Sequence, residues 1–217
     1  MQGRGWRLIL EHHFNMEQLI DGEDALEHAG RYNPPAAIVG EENTFKVVYL
    51  SGSLRTAHQE MRGRADIRNH ALVEFEYVLQ GNAWIDLTDE VIQHEFGVTL
   101  SELYENWRSL NARNQLSTTQ KIGMSIYADG RVEAIKVPSV RDDDGFNWVI
   151  FPDRFYAGSC INFIYSQKGS NSRDIDEESD SSSLDEADSD AYAEDERNNS
   201  LSEQRNIAEG LMGDSQF

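Results

Sequence analysis

Short apolar blocks separated by glycine, serine and acidic turns run from the N-terminal region to about residue 166, and there the apolar pattern stops. Residues 45–50 (FKVVYL) form a β-branched and aromatic run, which predicts a strand. Ser51 to Ser53 then supply turn and capping chemistry for a helix over residues 54–61. Residues 71–79 (ALVEFEYVL) alternate apolar with polar positions and 83–87 (AWIDL) continue in the same way, so each predicts a strand. Thr88 is the expected cap of a helix that stops near Gly97. Thr99 with Glu102 has the spacing of a capping box for a helix through Trp107. Thr118 or Thr119 is placed to open another helix that ends before Gly130. Strand-like stretches follow at 132–137, 146–151 and 160–165. The expected fold class is therefore α+β, with no regular βαβ repetition and hence no doubly wound nucleotide fold.

From about Gln167 the composition turns to Ser, Asp, Glu and Asn, as in DIDEESDSSSLDEADSD. Such a segment lacks the apolar surface needed to offset the entropy of ordering. The expectation is one domain over residues 1–166 and a disordered acidic tail over 167–217. Ser179 and Ser183 in that tail precede acidic residues and can accept phosphate, and residues 207–212 form a short apolar return.

The chain has 217 residues and a net charge of −20 at pH 7, about half of it in the tail. That charge repels phosphate backbones and anionic membrane surfaces, so neither nucleic acid nor a membrane is an expected partner. Cys160 is the single cysteine, so no internal disulfide forms. The early sequence has no signal-like apolar stretch, and the expected compartment is the cytoplasm.

The common catalytic motifs are absent. The sequence holds no G-x-G-x-x-G after a strand, no G-x-x-x-x-G-K-[ST] and no G-x-S-x-G. Its six histidines lack zinc spacing, and adjacent His12 and His13 point apart on any regular element. Asp142, Asp143 and Asp144 before Gly145 read as a solvated turn rather than a calcium loop. No metal site and no prosthetic group are expected.

Four stretches in order carry a resemblance: Gly30-Arg31-Tyr32-Asn33-Pro34-Pro35, Val48-Tyr49-Leu50-Ser51, Thr56-Ala57-His58-Gln59-Glu60 and Pro138-Ser139-Val140-Arg141. Together with the 84–88 strand, the Thr119-Gln120 helix start and the 145–151 run, they resemble the RES domain, named for its Arg, Glu and Ser. The resemblance spans about residues 6–155. It implies a fold similar to that of ADP-ribosyltransferases and an enzyme that degrades NAD by hydrolysis or phosphorolysis, often a toxin held by an antitoxin. One relative instead attaches ADP-ribose to a protein. By the same resemblance the catalytic candidates are Arg31, Glu60 and Ser139, and the NAD-binding candidates are Arg31, Tyr32, Tyr49, Ser139 and Asn147. NAD is then the substrate, with inorganic phosphate as one acceptor. The long insert between Pro35 and Tyr49 and the acidic tail depart from the family pattern.

The residue types suit that chemistry. A guanidinium at Arg31 can fork onto diphosphate oxygens, although in an acidic protein it can equally pair with a surface carboxylate. A carboxylate at Glu60 can stabilise an oxocarbenium-like ribose, orient water or phosphate, or simply sit solvated at a helix end. Tyr49 can stack on nicotinamide or pack in the core. Ser139 can hold an amide or a phosphate oxygen, or cap the following turn; no histidine is placed to make it a nucleophile. Three functions remain open: NAD cleavage, ADP-ribosyl transfer to a protein, and a catalytically silent NAD-binding module.

Overall fold

A computed structural model gives the fold and describes residues 1–10, 16–61, 70–80 and 83–168. Its elements in chain order are β1 (Gln2–Leu10), α1 (Met16–Asp21), α2 (Asp24–Glu27), α3 (Ala36–Val39), β2 (Val48–Ser51), α4 (Leu54–Met61), β3 (His70–Val78), β4 (Trp84–Asp86), α5 (Glu90–Glu95), α6 (Leu100–Leu103), α7 (Trp107–Asn111), α8 (Thr118–Asp129), β5 (Ala134–Pro138), β6 (Phe146–Ile150) and β7 (Cys160–Lys168). The strands form one sheet in the order β4-β5-β6-β2-β1-β3-β7. β4 pairs parallel with β5, and the other pairings are antiparallel. The fold is thus mixed α and β, as the apolar pattern implies.

Alternation along the strands divides the core between the two sheet faces. Val47, Ile135, Val137, Val149 and Phe151 pack with α8 and with Phe45 and Leu103 on one face. Val48, Leu50, Val73, Phe75, Trp148 and Ile150 pack on the other. The parity has a functional consequence. Tyr49, Ser51, Asn147 and Ser139 continue the first series, so one face carries them all, Tyr49 and Ser51 in β2, Asn147 in β6 and Ser139 just after β5. The register brings them level, with Ser51 opposite Asn147 and Asn147 opposite Val137.

α8 starts at a capping box in which Ser117 and Gln120 satisfy each other's backbone N–H groups, and it ends at left-handed Gly130 (φ 76°). The expected caps Thr118 and Thr119 are inside the helix, because the Ser117 hydroxyl takes the Gln120 N–H. Likewise Asp89 rather than Thr88 caps α5; the Thr88 hydroxyl is turned back onto Asp86. The helix expected to run from Thr99 through Trp107 stops at Leu103. Asn106 restarts the chain as α7 by accepting the Ser109 N–H. β1 had no strand signature, because Gly3 and Gly5 weaken it. A Cβ at those positions would lie 2.5 Å from the Tyr77 hydroxyl and 2.7 Å from Leu50 Cβ, so the large neighbours demand glycine.

β7 continues past the expected domain end, since Gln167 and Lys168 pair with Leu72 and Ala71 of β3. The acidic stretch with Ser179, Ser183 and residues 207–212, and also His12 and His13, lie outside the described residues. Among the described residues no helix is long and apolar enough to cross a membrane.

Gly123 is the point where α8 meets the 30–35 loop: a Cβ there would stand 1.9 Å from the Tyr32 carbonyl oxygen. Backbone on the receiving side cannot yield as a flexible side chain does. Gly123→Ala is therefore expected to lower unfolding free energy by about 1–3 kcal/mol in denaturant titrations. An unchanged midpoint would contradict the close approach.

Candidate active site

The 30–35 loop is built before its arginine can be placed. Asn33 is 1% exposed and its amide donates to the Ala25 and His28 carbonyls. Its Oδ1 accepts the Tyr49 hydroxyl proton at 2.8 Å, and the same hydroxyl accepts the Tyr32 N–H at 2.9 Å. Gly30 leaves room for this arrangement, since a Cβ there would be 2.3 Å from Asn33 Oδ1. From below, the buried Gln120 amide donates to the Gly30 carbonyl at 3.0 Å. The loop is therefore tied to α2, β2 and α8 at once.

On this loop Arg31 is half-buried, and its Nη1 donates to the carbonyls of Leu103 and Glu105, each at 2.9 Å. These carbonyls belong to the end of α6 and the corner leading to α7. They fix the guanidinium without cancelling its charge, in contrast to a carboxylate pair. Tyr104 lies between the two anchoring residues. Its phenol is raised above the usual tyrosine value first by desolvation, then by the negative charges of Asp143 and, more weakly, Glu60, while Arg31 acts in the opposite direction. Arg31, Glu60, Asp143 and Tyr104 thus share one electrostatic neighbourhood. Sequence reasoning missed Tyr104; an aromatic just past a capping-box helix was its only signal.

Glu60 comes from the last turn of α4. Its Oε1 accepts the Ser139 hydroxyl at 2.7 Å and the Asn147 amide at 2.9 Å. Asn147 is oriented in turn by Ser51, whose hydroxyl donates to its Oδ1 at 2.8 Å. Ser139 is 1% exposed, and its oxygen accepts the N–H groups of Arg141 and Asp142 at 3.2 and 3.1 Å. Its single proton is committed to Glu60, so the hydroxyl orients the carboxylate. The structure therefore brings Glu60, Ser139 and Asn147 into direct contact and holds Arg31 on its own loop, linked to Glu60 through their common influence on Tyr104.

Tyr32 is 1% exposed and packs in the core beneath the loop, while Tyr49 is half-buried. Burial pushes both phenols well above the ordinary value, with the Arg31 charge a weaker opposing influence. The Asp142 to Asp144 segment differs from the solvated turn expected for it: Asp142 is 4% exposed and accepts a hydrogen bond from Thr56 of α4. Three consecutive acidic residues masked the distinction between one buried carboxylate and two exposed ones. The described residues contain no group of three His, Cys, Asp or Glu placed to hold a metal ion.

The raised phenols give a pH dependence of defined sign. Folding favours their protonated form, so their contribution is complete below about pH 10 and is lost as pH rises beyond it, where the unfolded chain releases protons. In an alkaline titration followed by phenolate absorbance, Tyr32 and Tyr49 are expected to ionise only together with unfolding. Tyr49→Phe, which strands the Asn33 oxygen and the Tyr32 N–H, is expected to cost about 1–3 kcal/mol of stability. Full ionisation of the tyrosines in the folded protein would contradict this burial.

Comparison with known proteins identifies the family and the fold. No curated protein matches the sequence. Among solved structures, the crystal structure of the M. tuberculosis MbcT-MbcA toxin-antitoxin complex contains a chain of similar fold, with a TM-score of 0.54 and 16% sequence identity over 77% of this chain and 84% of that one. The family model for the RES domain matches residues 4–168. That match takes in Arg31, Glu60 and Ser139 together with every described strand from β2 to β7, and the chain belongs to the RES domain family.

Proposed function

We propose that this RES domain binds NAD and breaks its nicotinamide–ribose bond, passing ADP-ribose to water or to inorganic phosphate. The observation that carries the reading is a carboxylate, Glu60, held by two side-chain donors from the end of β5 and the start of β6, in the same electrostatic neighbourhood of Tyr104 as a guanidinium whose charge is fixed but not neutralised. NAD needs both signs. Its diphosphate suits the Arg31 fork, where Nη1 is committed to carbonyls and a ligand oxygen is taken by the Nε and Nη2 edge. Its reacting ribose carbon gains positive charge as nicotinamide leaves with the bonding electron pair, and a fixed carboxylate lowers the energy of that state. The acceptor oxygen then bonds to the ribose carbon and releases its proton, with Glu60 as the nearby acceptor.

Ser139 and Asn147 serve this step by holding Glu60, so the carboxylate does not reorganise as charge develops. Tyr49 and Tyr104 supply aromatic surface for the bases. The structural neighbour is a chain of a toxin-antitoxin complex, and with RES membership this supports a toxin-like use here, with a protein partner that covers the Arg31 and Glu60 site. NAD serves as substrate in the cytoplasm, and no prosthetic group is invoked. The net charge of −20 disfavours nucleic acid as a partner.

Incubating the purified protein with NAD, with and without phosphate, and following nicotinamide by chromatography tests the proposal. The expected result is release that falls by about a hundredfold or more in Arg31→Ala and in Glu60→Ala. A requirement for phosphate identifies phosphorolysis, and release without it identifies hydrolysis. ADP-ribose recovered on a protein would replace the reading with transferase chemistry, and no release in any condition would overturn it.

A further inference from the structure

Asp142 is 4% exposed, although Val140, Arg141, Asp143 and Asp144 around it are exposed. A carboxylate is buried at this cost only when it is paired and hydrogen-bonded. Its partners both come from the first turn of α4: the Thr56 hydroxyl donates to Oδ2 at 2.8 Å, and Arg55 Nη2 lies 2.9 Å from Oδ1. Ser53 completes the arrangement by accepting the Thr56 N–H at 3.0 Å. The negative charge therefore faces the positive end of the helix that carries Glu60.

The backbone of the same residue grips the opposite side. Its N–H donates to Ser139 Oγ at 3.1 Å, and its carbonyl accepts the Gly145 N–H at 2.8 Å, which closes the turn. Gly145 has to be small here, because a Cβ would lie 2.6 Å from both Asp142 Oδ2 and Thr56 Oγ1. Thr56 and Glu60 are four residues apart and so share one face of α4. Two rungs result between the helix and the loop after β5, Thr56 to Asp142 and Glu60 to Ser139, at 2.8 and 2.7 Å.

We propose that Asp142 is a positioning residue for the reaction: through the Thr56 rung it sets the separation of α4 from the β5–β6 loop, so that Glu60 meets Ser139 in the orientation the ribose requires. This rests on the reading of Glu60 given under Proposed function. The inference concerns geometry in the transition state, so its effect falls on kcat more than on KM.

The test compares full-length wild type with Asp142→Ala, Thr56→Val and Thr56→Ser, each checked for folding by circular dichroism. Nicotinamide release in Asp142→Ala and Thr56→Val is expected to lose roughly tenfold to a hundredfold in kcat with KM within about twofold. Thr56→Ser keeps the hydroxyl and restores most of the rate. Amide exchange at backbone positions 141 and 142, whose N–H groups bond Ser139, speeds up in the two damaging variants. Equal loss in kcat and KM, unchanged kcat, or no recovery in Thr56→Ser would overturn the proposal. If wild type releases no nicotinamide, the activity reading fails separately. Exchange then decides the clamp, and unchanged rates at both amides reject it.

Discussion

The hydrogen bonds that converge on the Glu60 carboxylate tie together parts of the chain that are distant in sequence. Ser139 and Asn147 reach it from β5 and β6, and α4 delivers it from the segment after β2. The Asn147 contact depends on strand register, because Ser51 stands opposite Asn147 and its hydroxyl orients the second donor. A one-residue slip would turn Asn147 to the other face of the sheet and leave the carboxylate with one side-chain donor fewer. Sheet register, helix placement and the chemistry of the site are thus a single constraint.

Arg31 is governed by a separate device with the same logic. Its loop is fastened by Asn33, Tyr49 and Gln120, and its guanidinium by two peptide carbonyls. Carbonyl dipoles hold position while leaving a full unit of charge available. Anion and cation are therefore carried on independent supports, each preorganised, as the proposed NAD substrate, anionic at its diphosphate and cationic at its ribose in the transition state, would require.

Much of this was legible in the sequence, for identifiable reasons. α4 was expected over its observed span, and β2 to β7 were all expected within a few residues, because β-branched alternation and serine turns mark them directly. Glu60, Ser139 and Asn147, singled out through family resemblance, stand in direct contact, whereas Arg31 is held apart by peptide carbonyls. Other features depend on partners far along the chain. β1 was hidden by glycines whose purpose is to lie beneath Tyr77 and Leu50. Ser117 could not be distinguished from Thr118 and Thr119 as a cap, since all three carry hydroxyls. Asp142 looked like its neighbours until Thr56 and Arg55 were placed against it. Tyr104 acquires meaning from the Leu103 and Glu105 carbonyls that flank it and hold Arg31.

The chain belongs to the RES domain family and shares its fold with a chain of the MbcT-MbcA complex, and the proposed NAD site requires a ligand that spans Arg31 and Glu60. A crystal structure with an NAD analogue whose nicotinamide–ribose bond cannot break tests it most directly. The diphosphate is expected on the outer edge of the Arg31 guanidinium and the ribose carbon facing the Glu60 carboxylate, with the Ser139 and Asn147 contacts intact. A ligand bound away from both residues, or bound with Glu60 turned out of that network, would contradict it.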